Sequence, residues 1–201
     1  IGLLVGGALV WIGATTAVNT KNRNMMQMMG IQSEQTAIMG DSETLDAHFI
    51  EQMIPHHEDA ITMAKLAQTK AQRPEVKELA NNIITSQGKE ITQMQDWYTA
   101  WFGRDVPQGQ EVMQGHGMMG APLMHMGMMG TEADFHKLEE AEDFDRTFVE
   151  DMIPHHQMAI MMANMLKNGT NRPEMQQLAD DIITAQTIEI EQMRNWLNEW
   201  K

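Results

Sequence analysis

Apolar residues recur three and four positions apart in two neighbouring stretches of the chain, which is the spacing of one buried face of an α-helix. The positions are Phe49, Met53, His57, Ala60, Ile61 and Ala64, then Leu79, Ile83, Ile91, Met94, Trp97 and Trp101. Arg73-Pro74 stands between the stretches, and a first helical turn tolerates proline. The pattern therefore predicts two helices joined by a short turn, which is a helical hairpin.

The same pattern occurs a second time. Residues 49–101 align without a gap with residues 148–200, and 26 of the 53 aligned positions are identical. Two hairpins that each carry one apolar stripe bury those stripes best against each other. The sequence therefore predicts an all-α, antiparallel four-helix bundle with pseudo-twofold symmetry. The predicted bundle spans residues 41–201, with hairpin repeats at 43–102 and 142–201 and a connection at 103–131.

The pentapeptide MIPHH occurs inside a predicted helix in both repeats, at Met53–His57 and Met152–His156. Proline inside a helix typically costs about 3 kcal/mol, so a doubled occurrence calls for a reason. Successive residues lie about 100° apart around a helix. His57 and His156 therefore fall on the buried face, whereas His56 and His155 point sideways.

These two orientations lead to different expectations. The inward His57 and His156 are either core imidazoles or metal ligands with a methionine one turn away. The residues that could supply a polar partner to a core imidazole are Gln87, Glu90, Gln186 and Glu189. For the sideways His56 and His155, metal ligation is favoured over plain surface exposure.

The repeats differ around the second motif. Asp59, Thr62 and Leu66 of the first copy are replaced by methionines in the second. The resulting stripe is Met158, Met161, Met162 and Met165. It is wider than a core face requires, so we expect the better metal site on an accessible flank beside His155.

Methionine is unusually abundant, with 22 in 201 residues. Residues 19–40 form a methionine-rich segment, and residues 113–130 hold seven methionines, two histidines and five glycines. Because glycine at this density disfavours a stable helix, these methionines are not expected to form a packed face. Metal binding is the favoured interpretation, ahead of a hydrophobic docking patch or low-complexity drift. Thioether sulfur selects Cu(I), and imidazole suits copper generally.

Residues 1–18 are apolar and uncharged. This stretch is short and glycine-rich for a membrane-spanning helix, so a signal peptide is favoured over an uncleaved membrane anchor and a core helix. We therefore expect an exported protein, periplasmic or secreted, that touches the membrane only if this segment is retained. The net charge of -14 argues against nucleic acid as a partner and suits cations.

The doubled pattern F-x-x-x-M-I-P-H-H-x-x-A-I-x-M-A, followed by R-P-E and Q-x-x-E-I-x-Q-M-x-x-W, resembles domain-of-unknown-function family 305 (DUF305). The resemblance implies a ferritin-like four-helix bundle and copper handling more than catalysis. No Glu-x-x-His occurs in the sequence, so di-iron chemistry is not expected. Absence of cysteine likewise argues against blue-copper electron transfer.

The sequence thus predicts a non-enzymatic copper-binding protein that sequesters Cu(I) or transfers it to another copper-handling or sensor protein. Cu(II) is a second candidate through the histidines, and Ag(I) is a surrogate. The alternatives are a cuprous oxidase and a methionine-rich interaction module. The candidate ligands are Met53, His56, His57, Met63, Met113, His116, Met118, Met119, Met124, His125, Met126, Met128, Met129, Met152, His155, His156, Met158, Met161, Met162 and Met165.

Overall fold

The structure is a computed structural model that describes residues 41–107 and 132–200. Its helices are α1 (Asp41–Lys70), α2 (Pro74–Phe102), α3 (Glu132–Glu139), α4 (Phe144–Gly169) and α5 (Pro173–Glu199). Helix α1 packs along α2 and α4 along α5, and the contact between α1 and α4 joins the two hairpins. The predicted all-α fold of two duplicated hairpins is confirmed. The short helix α3, which contacts α1 and α4, was not predicted.

The helix ends follow local rules. Pro74 and Pro173 occupy the first turns of α2 and α5, where a missing backbone donor costs nothing. Gly103 ends α2 in the left-handed region, with φ of 65°, and its N–H donates to the Thr99 carbonyl. Pro55 and Pro154 are exposed, and α1 and α4 continue as helices through both of them.

The core consists of two apolar clusters, one towards each end of the bundle. Along α1, the buried residues belong to the first cluster up to Ile54 and to the second from Ala60 onward. Along α4, the switch falls between Met152 and Ala159, in the opposite order. The MIPHH motifs therefore lie at the middle of the bundle, where one apolar cluster gives way to the other.

Each hairpin turn is held by an aspartate from the other hairpin. Asp145 of α4 accepts hydrogen bonds from the backbone N–H groups of Gln72 and Arg73, and from the Arg73 guanidinium at 3.0 Å. In the second turn, Arg172 Nε lies 3.2 Å from Asp46 Oδ2 of α1, as a charge contact rather than an aligned hydrogen bond. These contacts fix the register of the two hairpins, and hence the meeting point of the two motifs.

Four tryptophans complete the same ends of the bundle. Trp97 stacks with Trp101, and Trp196 with Trp200. All four are partly buried against the apolar clusters. The turn arginines lie over two of them. The Arg73 guanidinium is 4.1 Å from a Trp200 ring centroid, and the Arg172 guanidinium is 4.2 Å from a Trp101 ring centroid.

The two equivalent aspartates should differ in their contribution to stability. Burial raises the pKa of Asp46 to about 6, against the lowering effects of Thr170 and Arg172. The folded state therefore favours protonated Asp46, and this contribution to stability is lost as the pH rises through about 6. At pH 7 we expect Asp145→Asn to lower the free energy of unfolding by about 1.5–3 kcal/mol, as for hydrogen bonds to a charged group, and Asp46→Asn to cost less. Urea unfolding checks this, and equal losses would contradict it.

Candidate metal centre

The inward histidines of the two motifs are fully buried, and each contacts a carboxylate. His57 Nε2 lies 2.6 Å from Glu90 Oε2, and His156 Nε2 lies 2.7 Å from Glu189 Oε2. The expectation that a core imidazole would have a polar partner is confirmed. The partners are the glutamates of α2 and α5, and the two hydrogen bonds are related by the duplication.

The two glutamines that were also considered as partners for these histidines are buried, but the histidines bond to the glutamates instead. Gln87 and Gln186 lie one helical turn before Glu90 and Glu189. The Oε1 atoms of both glutamines lack a hydrogen-bond partner within the described structure. They add two uncompensated oxygen acceptors to the buried polar groups at mid-bundle.

The sideways histidines face each other across the contact between α1 and α4. The ring centroids of His56 and His155 are 3.8 Å apart, and the rings are tilted by 42°. Only 2% of His155 is exposed, so the prediction of an accessible flank is wrong. The reason is that α1 of the first hairpin covers this flank of α4, which the periodicity of a single helix does not reveal.

Burial keeps this histidine pair uncharged at neutral pH. Desolvation, together with the neighbouring His156 and His57, lowers the pKa of His155 to about 3. Desolvation, with further contributions from His155, His57 and His156, lowers the pKa of His56 well below its usual value. The His155 backbone opposes that shift, although it does not form an aligned hydrogen bond with the His56 ring. Neutral imidazoles keep a free lone pair, which is the form that binds metals.

Six ring nitrogens at this centre are buried without a hydrogen-bond partner in the described structure. They are both nitrogens of His56, both nitrogens of His155, and the Nδ1 atoms of His57 and His156. A buried polar group without a partner costs about 1–3 kcal/mol, so this number of them in a core is unfavourable for folding alone. Coordination of a metal ion by the lone pairs would compensate part of that cost, and the donor set fits copper.

The candidate methionines of the helices differ in their surroundings. Met53 and Met152 are fully buried, one turn before the inward histidines and on the same helix face. Met63 is also fully buried, in the second apolar cluster.

The predicted methionine flank of the second repeat is largely absent. Met162 is a core residue, and Met158 and Met165 are partly buried against the first apolar cluster. Of this stripe only Met161, which is 42% exposed, is freely accessible. These residues pack against the core because α4 has neighbours on both α1 and α5.

Within residues 41–107 and 132–200, no three His, Asp or Glu side chains are grouped as a ready-made metal site. The predicted segments 1–18 and 19–40 lie outside the described residues. So do Met113, His116, Met118, Met119, Met124, His125, Met126, Met128 and Met129. Among the described helices, none combines the length and hydropathy needed to cross a membrane.

The fold and the centre define an all-α protein of two duplicated hairpins whose MIPHH histidines meet at the contact between α1 and α4. The chain belongs to the DUF305 family, because the family model described as "Domain of unknown function (DUF305)" matches residues 46–197. The resemblance seen in the sequence is therefore confirmed.

Solved structures with the same fold include CopM, which is 46% identical to this chain. The Cu(I)-bound form of CopM matches 77% of this chain and 96% of its own, with a TM-score of 0.64. CopM has also been solved in Cu(II)-bound, Ag-bound and apo forms. A DUF305 fragment from Deinococcus radiodurans is 28% identical and matches 77% of this chain and 96% of its own, with a TM-score of 0.62.

One further relative is of viral origin. Uncharacterized protein L153 of Acanthamoeba polyphaga mimivirus is 46% identical over 57 residues, which is 28% of this chain. The match spans 38% of the viral protein, so the chain covers well under half of that relative.

Proposed function

We propose that this protein binds copper at the centre formed by the two MIPHH motifs, chiefly as Cu(I). The observation that carries the proposal is the group of buried imidazole nitrogens at the α1–α4 contact that have no hydrogen-bond partner within residues 41–107 and 132–200. The structures of CopM with Cu(I), Cu(II) and Ag support it, since CopM is 46% identical over most of this chain.

The donors explain the preference for Cu(I). Thioether sulfur is a soft ligand that selects Cu(I), and imidazole binds both oxidation states. Met53 and Met152 would supply thioethers, and His56 and His155 would supply neutral imidazoles. Because His56 and His155 have lowered pKa values, they need not release a proton to bind a metal at neutral pH.

The proposed role is to hold or pass on copper outside the cytosol. The acceptor would be another copper-handling or sensor protein. A DUF305 protein from Streptomyces coelicolor whose name describes it as secreted supports export. It is 25% identical and matches 77% of this chain and 93% of its own, with a TM-score of 0.65. Binding rather than catalysis is part of the proposal, and sustained oxygen uptake with Cu(I) as the electron donor would overturn that part.

Metal selectivity tests the proposal. The purified protein should take Cu(I) from a chromogenic chelator and hold Zn(II) less tightly, because the thioethers of Met53 and Met152 are soft ligands that select Cu(I). Fewer bound Cu(I) ions than protein chains, or equal competition by Zn(II), would overturn it.

A matched pair of variants separates ligation from packing. Met53→Leu with Met152→Leu preserves volume but removes sulfur, so Cu(I) affinity should fall while the metal-free fold stays intact. Met175→Leu makes the same change in the first turn of α5, away from the motifs, and should leave affinity unchanged. Equal affinities in all three proteins would exclude the buried thioethers as ligands.

A further inference from the structure

The glutamates that contact the inward histidines determine which ring nitrogen carries the proton and which keeps a lone pair. We propose that Glu90 and Glu189 are positioning residues that hold His57 and His156 in the Nε2–H tautomer, so that Nδ1 is the copper-binding atom. The inference rests on the proposed function, because it names the ligand atoms of that same site.

The geometry of the hydrogen bond determines the tautomer. An ionised carboxylate only accepts hydrogen bonds, so the imidazole nitrogen beside it must be the donor. Nε2 of His57 lies 2.6 Å from Glu90, and Nε2 of His156 lies 2.7 Å from Glu189. Nε2 therefore carries the proton in each ring, and Nδ1 of a neutral ring holds the lone pair.

The free nitrogens have no other use in the described structure. Nδ1 of His57 and Nδ1 of His156 are both buried, and neither has a hydrogen-bond partner. If these histidines only packed the core, the lone pairs would be left unsatisfied in both repeats. A metal ion bound at Nδ1 would instead use them.

The duplication gives independent support. Each histidine contacts a glutamate 33 positions later in the chain, and the two hairpins contain the same arrangement. The aligned repeats have kept only 26 of 53 positions identical, and both glutamates are among them. A carboxylate bound to the far nitrogen of a ligand histidine orients the ring and raises its basicity.

The test uses two double variants. The leucine variant carries both Glu90→Leu and Glu189→Leu and removes the acceptors, whereas the glutamine variant carries both Glu90→Gln and Glu189→Gln and keeps neutral acceptors. Long-range ¹H–¹⁵N correlation of histidine-labelled, metal-free protein reports the tautomer directly. Wild type should show protonated Nε2 at both inward histidines. The leucine variant should lose this preference and bind Cu(I) about ten- to a hundredfold more weakly. The glutamine variant should lie between them.

Exposed glutamates on the same helices provide the control. Glu78→Gln and Glu191→Gln make the same change of charge at exposed positions of α2 and α5, and should leave tautomer and affinity unchanged. A merely structural role for Glu90 and Glu189 would lower stability without changing affinity in the variants that fold, and that outcome would overturn the inference.

Ag(I) titration of the labelled protein identifies the ligand atom, because the ion is diamagnetic. The Nδ1 resonances of His57 and His156 should shift as silver binds. If silver binds and those resonances stay in place, the inference fails while the proposed function stands. If neither silver nor Cu(I) binds at all, the proposed function fails as well. Protonated Nδ1 in the metal-free protein would overturn the inference by itself.

Discussion

Replacing His56 and His155 together with leucine should make the metal-free protein more stable by about 1–3 kcal/mol at pH 7. The two rings are in contact and tilted by 42°, and none of their four buried nitrogens has a hydrogen-bond partner within the described residues. Removing unsatisfied polar groups in favour of apolar ones of similar size is neutral to stabilising. The same variant should bind copper more weakly. Urea unfolding without metal and Cu(I) competition measure the two effects.

Two comparisons make this result specific. His136→Leu changes an exposed histidine of α3 and should alter stability by no more than about 0.5 kcal/mol. His57→Leu with His156→Leu should destabilise the protein, because each change leaves a partly buried glutamate without its donor. If His56→Leu with His155→Leu unfolds more easily than wild type at pH 7, the two imidazoles serve the fold and this interpretation is wrong.

The stability advantage of the same leucine variant should grow by about 3 kcal/mol between pH 7 and pH 4.5. The pKa of His155 is lowered from 6.5 to about 3 in the folded protein. Between these values the unfolded chain binds more protons than the folded one. His155 therefore causes no pH-dependent loss of stability above pH 6.5 and destabilises the folded wild type increasingly as the pH falls towards 3.

The difference in the free energy of unfolding between the leucine variant and the wild type is the informative quantity, because other groups titrate in the same pH range. Burial raises the pKa values of Asp46 and Asp59 to about 6, which favours the folded state in acid and opposes the histidine effect. Both aspartates are present in both proteins and cancel in the comparison. Parallel stability curves for variant and wild type from pH 7 to 4.5 would show that the histidines are not held neutral by burial.

Much of the fold could be predicted from the sequence because a hairpin is defined by local information. The apolar period specifies which residues face inward, and Pro74 and Pro173 mark where α2 and α5 begin. The gapless repeat then implies that both hairpins fold alike. Helix α3 was missed because eight residues are too few for a clear periodic signal.

The site was predicted in composition but not in arrangement. The period placed His57 and His156 inside, and the repeat retained Glu90 and Glu189 as possible partners for them. It did not show that His56 faces His155, because a helix period gives the direction of a side chain but not the neighbouring helix that covers it. The same limit applies to Met158 and Met165, which are partly buried where an accessible flank was expected.

Anomalous scattering at the copper edge, from crystals of the Cu(I)-loaded protein, tests the central claim most directly. We expect a copper peak at the contact between α1 and α4, within bonding distance of imidazole nitrogens from both MIPHH motifs. Copper peaks confined to other parts of the chain, with none between the two motifs, would contradict the assignment of this centre.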